Sequence, residues 1–331
     1  MINNKFKSEG QIFIGGTGRS GTTILSKVLG LHKKIYRLKD ESRFIIDPGG
    51  IIDLVPALSD DWSPYNGSNK IHEFQKIMSN LGKKETFLKK IERKLLSDLF
   101  KTSPKKYMKV PLGEIIGGEY SSILKEFYTE LIDSQFEGIW VGSNSYKIKS
   151  KIISPRRYSR KEMIKLSSQL IDDLFSQPME KNKKSYWLDH TPFNILHTKF
   201  LLELFPKAKI IHIYRDIRDV ISSYKTKNWG GNSAEDIILW QKNILEKWLE
   251  LKKEINESNY YELKMEDLTR NPEKELKRIT DFIGIDFDKN MLDIDLTKGH
   301  SGRWKDDLTD YEILKIKNEL SNVMKKYNYE W

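Results

Sequence analysis

The 331-residue chain contains no cysteine, which excludes disulfides, cysteine-ligated zinc and thiol catalysis. It also lacks any run approaching the ~18 consecutive apolar residues that a membrane-spanning helix requires. The opening segment MINNKFKSEGQIFIGG has neither an apolar signal core nor a small-residue cleavage site, so a cytoplasmic location is expected. The histidines show no metal-ligand spacing, and no metal site is expected. Neither an internal repeat nor a low-complexity linker divides the sequence. Acidic charge is comparatively scarce: 57 Lys and Arg against 47 Asp and Glu give a net charge of +10. Residues 70–110 alone hold 12 basic and 4 acidic residues. Such an excess suits a polyanionic ligand, an anionic glycan, nucleic acid or a membrane face, or is simply a well-solvated helix surface.

What is present is the punctuation of an α/β fold. QIFIG (11–15) is a short apolar run ending in glycine, and TTILSKVLGL then sets Ile24, Leu25, Val28 and Leu29 on one helical face. Between them lies GGTGRSGTT. Pro192 suits the first turn of a helix turning Ile195, Leu196, Phe200 and Leu204 inward, followed by the buried strand KIIHIY (209–214). Ser233 is placed to cap a long helix that leads to the strand YYELK. Asn271, Pro272 and Gly284 frame another helix, and Thr309 with Glu312 forms a capping-box pattern for the last. Strands alternating with helices at both ends predict a parallel sheet covered on both faces. Residues 45–186 read as mostly helical and loop-like, without a strong motif.

The spacing from Gly16 to Gly21 fits the phosphate-cradling pattern GxxxxGK[ST], but Thr22 stands where that pattern has lysine. Backbone N–H groups of such a loop and the helix N-terminus after it form an anion site. Ser20, Thr22 and Thr23 add hydroxyls, and Arg19 adds a planar cation. The missing lysine argues against ATP hydrolysis or phosphoryl transfer, where it would contact the terminal phosphates.

GTGRSGTTIL resembles the 5′-phosphosulfate loop of sulfotransferases that use 3′-phosphoadenosine 5′-phosphosulfate (PAPS), in its arginine-bearing bacterial form. The resemblance implies that Arg19, Ser20, Gly21, Thr22 and Thr23 grip the phosphosulfate. IIHIYRDIRDVISSY is similar to the family's 3′-phosphate segment, which assigns that phosphate to Arg215 and Ser223. TKGHSGRWKDDLT resembles the C-terminal KGxxGxW element, carrying over Lys298 and Gly299. Thr297 replaces an arginine of animal members there, and Arg303 is placed to compensate. MEDLTRNPEKELKRITDFIG is similar to a fourth family segment, with Met265 in place of a tyrosine.

Two residues are candidates for the general base. His190 in WLDHTP lies two residues before Pro192, like the catalytic histidine of cytosolic members, and imidazole titrates near neutrality. Asp189 before it is better suited to capping. Glu41 in DESRF is similar to the E-[ST]-R base of other members, with Arg43 orienting the substrate or sulfate.

These readings imply a P-loop NTPase-like three-layer α/β sandwich with a central parallel sheet flanked by helices. It forms a single domain, 1–331, with a helical, substrate-determining insertion over about 45–186. The implied enzyme transfers a sulfuryl group from PAPS to a hydroxyl, less readily an amine, releasing adenosine 3′,5′-bisphosphate without a metal. Arg19 doubles as a catalytic residue. A small-molecule or glycan acceptor is expected and nucleic acid is not. The basic surface allows peripheral membrane contact, and the oligomeric state stays open. The alternatives are a nucleotide kinase or NTPase using the same loop, and a non-catalytic binder of anionic glycan or nucleic acid.

Overall fold

The computed structural model describes residues 7–82, 112–139, 150–227, 230–231, 233–296 and 301–331. Among them, the strands in chain order are β1 (Gly10–Gly15), β2 (Ile35–Arg37), β3 (Ile132–Gly138), β4 (Ser150–Pro155), β5 (Tyr186–Asp189), β6 (Lys209–Tyr214) and β7 (Tyr260–Lys264). The chain divides into two compact units: Met1–Ser8 with Asp40–Lys183, and Glu9–Lys39 with Lys184–Trp331.

The second of these units is built on a five-stranded sheet in the order β2-β5-β1-β6-β7. Every adjacent pair is parallel, with β1 in the middle between β5 and β6. The apolar runs IFI and IIHI suit that central position, since strands covered on both faces bury every side chain. Ile12, Ile14, Ile211, Ile213 and Leu263 pack into one cluster with helices Thr22–Leu29 and Pro272–Ile283. Facing the other way on β6, His212 meets Trp248 of helix Ala234–Leu251 and Tyr327, which follows helix Asp310–Lys326. Helix, sheet and helix are therefore stacked as the sequence predicts.

The helix ends follow local chemistry. The Ser233 and Thr309 hydroxyls each accept from the backbone N–H three residues on, and the acid there accepts the reciprocal bond. Caps of this kind contribute about 1 kcal/mol each. Gly284 ends its helix at φ 89°, in the left-handed region that glycine enters without a Cβ penalty. Asn271 occupies the expected N-cap position but makes no side-chain capping bond. The helix expected from Pro192 is a 3₁₀ turn, Pro192–His197, running into an α-helix, Thr198–Leu204. Asn194 accounts for the tight first turn, because its amide donates to Ile14 O at 3.1 Å and to Asp189 Oδ2 at 2.8 Å.

The other unit has four principal helices among its described residues, Ile51–Leu58, Pro64–Leu81, Tyr120–Leu131 and Arg160–Lys181. It also contains an antiparallel hairpin of β3 and β4, an addition to the mostly helical reading of 45–186.

A half-buried ionic cluster joins β6, β7 and the flanking helices. Glu262 accepts from Trp248 Nε1 at 2.9 Å and Lys252 Nζ at 2.7 Å, and faces His212 Nδ1 at 3.1 Å and the Tyr327 hydroxyl at 3.4 Å. Burial pushes Glu262 upward, but the bonds and charge of His212, Lys252 and Trp248 outweigh it and hold the carboxyl at about 2. Burial lowers the His212 imidazole below its ordinary 6.5, with Glu262 opposing. The unfolded chain therefore binds more protons in acid than the folded chain. The cluster's contribution is complete above pH 6.5. It declines as pH falls through 6.5 for the imidazole and from 4.5 towards 2 for the carboxylate. Thermal unfolding followed from pH 7 to pH 3 is expected to show a falling midpoint. Glu262→Gln is expected to cost about 1–3 kcal/mol at pH 7 and to flatten the acid slope. A variant with the parent's slope would contradict this account.

Candidate functional site

Parallel α/β sheets bind ligands beyond the carboxyl ends of their strands, where the strand order reverses. Here that point lies at β1. As the chain leaves β1, Gly16 N–H donates to Pro192 O at 2.8 Å, so the segment after β5 abuts the entry to the phosphate loop. The loop takes positive φ at Gly18 (72°), Arg19 (55°) and Gly21 (110°). Arginine gains nothing locally from that conformation, which costs L-residues on the order of 1–2 kcal/mol. Strain of this kind is concentrated where a side chain must be aimed.

Helix Thr22–Leu29 begins with no side-chain capping bond and no acid in its first turn. Its leading N–H groups and its positive dipole end are thus available to an anion. Ser20 Oγ is fully buried and has no hydrogen-bond partner among the described residues. Thr22 is buried and Thr23 exposed. Uncapped donors, an orphan hydroxyl and an exposed arginine fit a phosphosulfate group.

The second motif meets this loop. Arg19 Nε donates to Ser223 Oγ at 3.0 Å across 204 residues of sequence. Ser223 lies on helix Ile217–Lys225, which follows β6, and Arg215 precedes that helix. Arg215 pairs with the fully buried Asp219 at 3.3 Å. Asp219 also accepts from Gly302 N at 2.8 Å and Trp304 N at 3.1 Å, fixing the end of the third motif to the second. Arg218, held bidentately by Asp216, stacks on the Trp304 ring at 4.2 Å, which makes Trp304 a packing anchor. Arg303 Nε donates to Asp307 at 2.6 Å. Asp307 is held below the usual carboxylate range, chiefly by the Ser222 hydroxyl and then by Arg303. Lys298 and Gly299 lie outside the described residues.

His190 follows the end of β5, whose Asp189 is in register with Phe13 of β1, and it is almost fully buried. Asp189 accepts from Thr191 N at 3.1 Å and from the Asn194 amide at 2.8 Å, and so closes the turn after β5. Glu41 belongs to the unit containing residues 40–183, where it pairs with Arg43, itself 3.6 Å from Asp47. Arg43 also has a positive φ of 61°.

Three residues beyond the sequence reading support the site: Asp219, Tyr224 and Gln241. Tyr224 directly follows Ser223, and its hydroxyl donates to Thr17 O at 3.0 Å. Gln241 Nε2 reaches the same oxygen at 3.4 Å. Gln241 was visible in principle as a polar interruption of the inward stripe Ile237, Ile238, Ile244, Leu245 and Trp248.

A strained glycine loop, an uncapped helix and a converging arginine and serine give this α/β protein a cradle suited to a phosphate-bearing ligand. Residues 144–289 match the model of the sulfotransferase family. The matched stretch includes His190, Arg215 and Ser223, whereas the phosphate loop lies outside it. No curated protein matches the chain. Among solved structures, it is similar to the sulfotransferase domain from the Synechococcus PCC 7002 olefin synthase. That similarity is 18% identity over 99% of this chain and 98% of that one, with a TM-score of 0.49. Sulfotransferase STF9 from Mycobacterium avium is 11% identical over 98% of this chain and 78% of that one, with a TM-score of 0.45. Mouse sulfotransferase SULT7A1 complexed with PAP is 13% identical over 97% and 86%, with a TM-score of 0.41. Among the described residues no cluster of metal ligands occurs, and no helix is long and apolar enough to cross a membrane.

Proposed function

We propose that the chain is one sulfotransferase domain, with a substrate-determining insertion, that transfers the sulfuryl group of PAPS to a hydroxyl of a polar acceptor. The observation carrying this reading is the 3.0 Å bond between Arg19 and Ser223. It joins the residues assigned to the 5′ and 3′ ends of one nucleotide. A clamp for a 3′-phosphate is what an ATP site does not need. The nucleotide supplies an activated sulfuryl group. Arg19, Ser20 and the backbone N–H groups from Gly21 to Thr23 hold the phosphosulfate, and Arg215, Ser223, Lys298, Gly299 and Arg303 hold the 3′-phosphate.

The acceptor oxygen forms a bond to sulfur as the bond from sulfur to the nucleotide phosphate breaks, in line. His190 takes the acceptor's proton, and Arg19 bears the charge that develops on the leaving phosphate. His190 is favoured because its segment abuts the loop through the Gly16–Pro192 bond. Glu41 is the second reading. Turnover of labelled PAPS by His190→Ala and Glu41→Ala decides between them. A drop of about 10²–10⁴-fold in the His190 variant alone is expected. Near-parental turnover by both variants at saturating PAPS would remove the proposed base chemistry.

A carbohydrate suits the acceptor role. The unit containing residues 40–183 has an open cavity of about 760 Å3 lined by Gln75, Ser79, Ser121, Tyr128, Thr129 and Gln135, among others. Lys125, Asp133, Leu124 and Ile132 share this lining, and its hydrogen-bonding groups interleaved with tyrosine suit a polar ligand better than a sterol.

A further inference from the structure

We propose that Tyr224 and Gln241 are positioning residues that set the phosphate loop by anchoring one peptide group from behind. The proposal rests on the loop holding the 5′-phosphosulfate. The Tyr224 hydroxyl donates to Thr17 O at 3.0 Å, and Gln241 Nε2 donates to the same oxygen at 3.4 Å. Both side chains are buried, and the Tyr224 ring is braced edge-on by Trp240 at 5.2 Å between centroids.

A trans peptide is planar, with C=O and N–H pointing in opposite directions. Holding the Thr17 carbonyl inward therefore turns the Gly18 N–H outward, away from Tyr224 and Gln241, as a donor to an anion. Gly18 sits at φ 72°, where glycine alone is unstrained, and glycine would equally permit the peptide to rotate. The tyrosine hydroxyl opposes that rotation and also fills the space behind the loop. A Cβ on residue 18 would lie 2.2 Å from it.

The anchor and the proposed 3′-phosphate serine are consecutive residues of one helix. Ser223 engages Arg19 while Tyr224 engages Thr17. One rigid helical turn thereby carries the proposed 3′-phosphate serine and holds the backbone that would receive the 5′ end.

Titration calorimetry of the full chain with adenosine 3′,5′-bisphosphate, adenosine 5′-monophosphate and adenosine 3′-monophosphate tests this. Tyr224→Phe keeps the ring and deletes only the hydroxyl. The expected result is a rise in Kd of about 3–10-fold for the two ligands bearing a 5′-phosphate and no change for the 3′-monophosphate. Gln241→Leu, of similar volume, is expected to change Kd in the same pattern by a smaller factor. Loss of general packing would weaken all three ligands alike, and that outcome, or no change in any, overturns the anchor. A parent protein that binds none of the three overturns the nucleotide reading itself.

Discussion

Arg19→Gly is expected to lower kcat/KM for PAPS by about 10²–10³-fold while leaving stability within about 1 kcal/mol of the parent. Two separate effects produce that combination. Arg19 is exposed, and its recorded partner in the protein is the Ser223 hydroxyl, so its loss removes little packing. Its φ of 55° is unfavourable for arginine and free for glycine, which offsets glycine's greater entropy in the unfolded chain. The activity loss comes from the charge, because Arg19 is the loop's own cation where lysine is absent. Arg19→Lys should recover part of the rate, since a point charge replaces a planar fork. Steady-state kinetics together with a thermal melt check both halves. Parental activity in Arg19→Gly would remove the arginine from the mechanism.

Asp219→Ala is expected to cost about 3–5 kcal/mol and to weaken nucleotide binding at the same time. The carboxylate is fully buried and serves Arg215, Gly302 N–H and Trp304 N–H together. Removing it takes a carboxylate from the Arg215 guanidinium and leaves two backbone donors without their acceptor. Arg215 then loses the partner that aims it, so the proposed 3′-phosphate contact loosens along with the turn at 302–304. Asp219→Asn keeps the volume and one acceptor oxygen and should fall between alanine and the parent. Thermal melting and calorimetry with adenosine 3′,5′-bisphosphate measure the two effects. A variant with parental stability and affinity would show that Asp219 neither supports the fold nor organises the site.

The parts of this molecule legible in sequence are those where local chemistry and burial agree. QIFIG, the glycine loop and TTILSKVL became β1, the cradle and its helix, because each pattern matches its final environment. Ser233 and Thr309 were legible because capping boxes are local. β5 was not, since YWLD is four residues long and becomes a strand by lying between β2 and β1. β3 was hidden for a different reason: IDSQFEG is polar and largely exposed, so no apolar alternation marks it. The site divides the same way. Its motif residues can be named from the resemblance to a known family, but the Arg19–Ser223 bond is a long-range consequence of the parallel sheet. Asp219 is one of four charged residues between 215 and 219, and only its burial and its three partners reveal it as a structural hub.

The central claim is that the loop serves a 3′-phosphorylated nucleotide and not ATP. Thermal shift with PAPS, adenosine 3′,5′-bisphosphate and ATP, each at the same concentration, tests it most directly. The account predicts stabilisation by the first two well beyond any effect of ATP, by the linkage between ligand binding and folding. Stabilisation by ATP alone would contradict it.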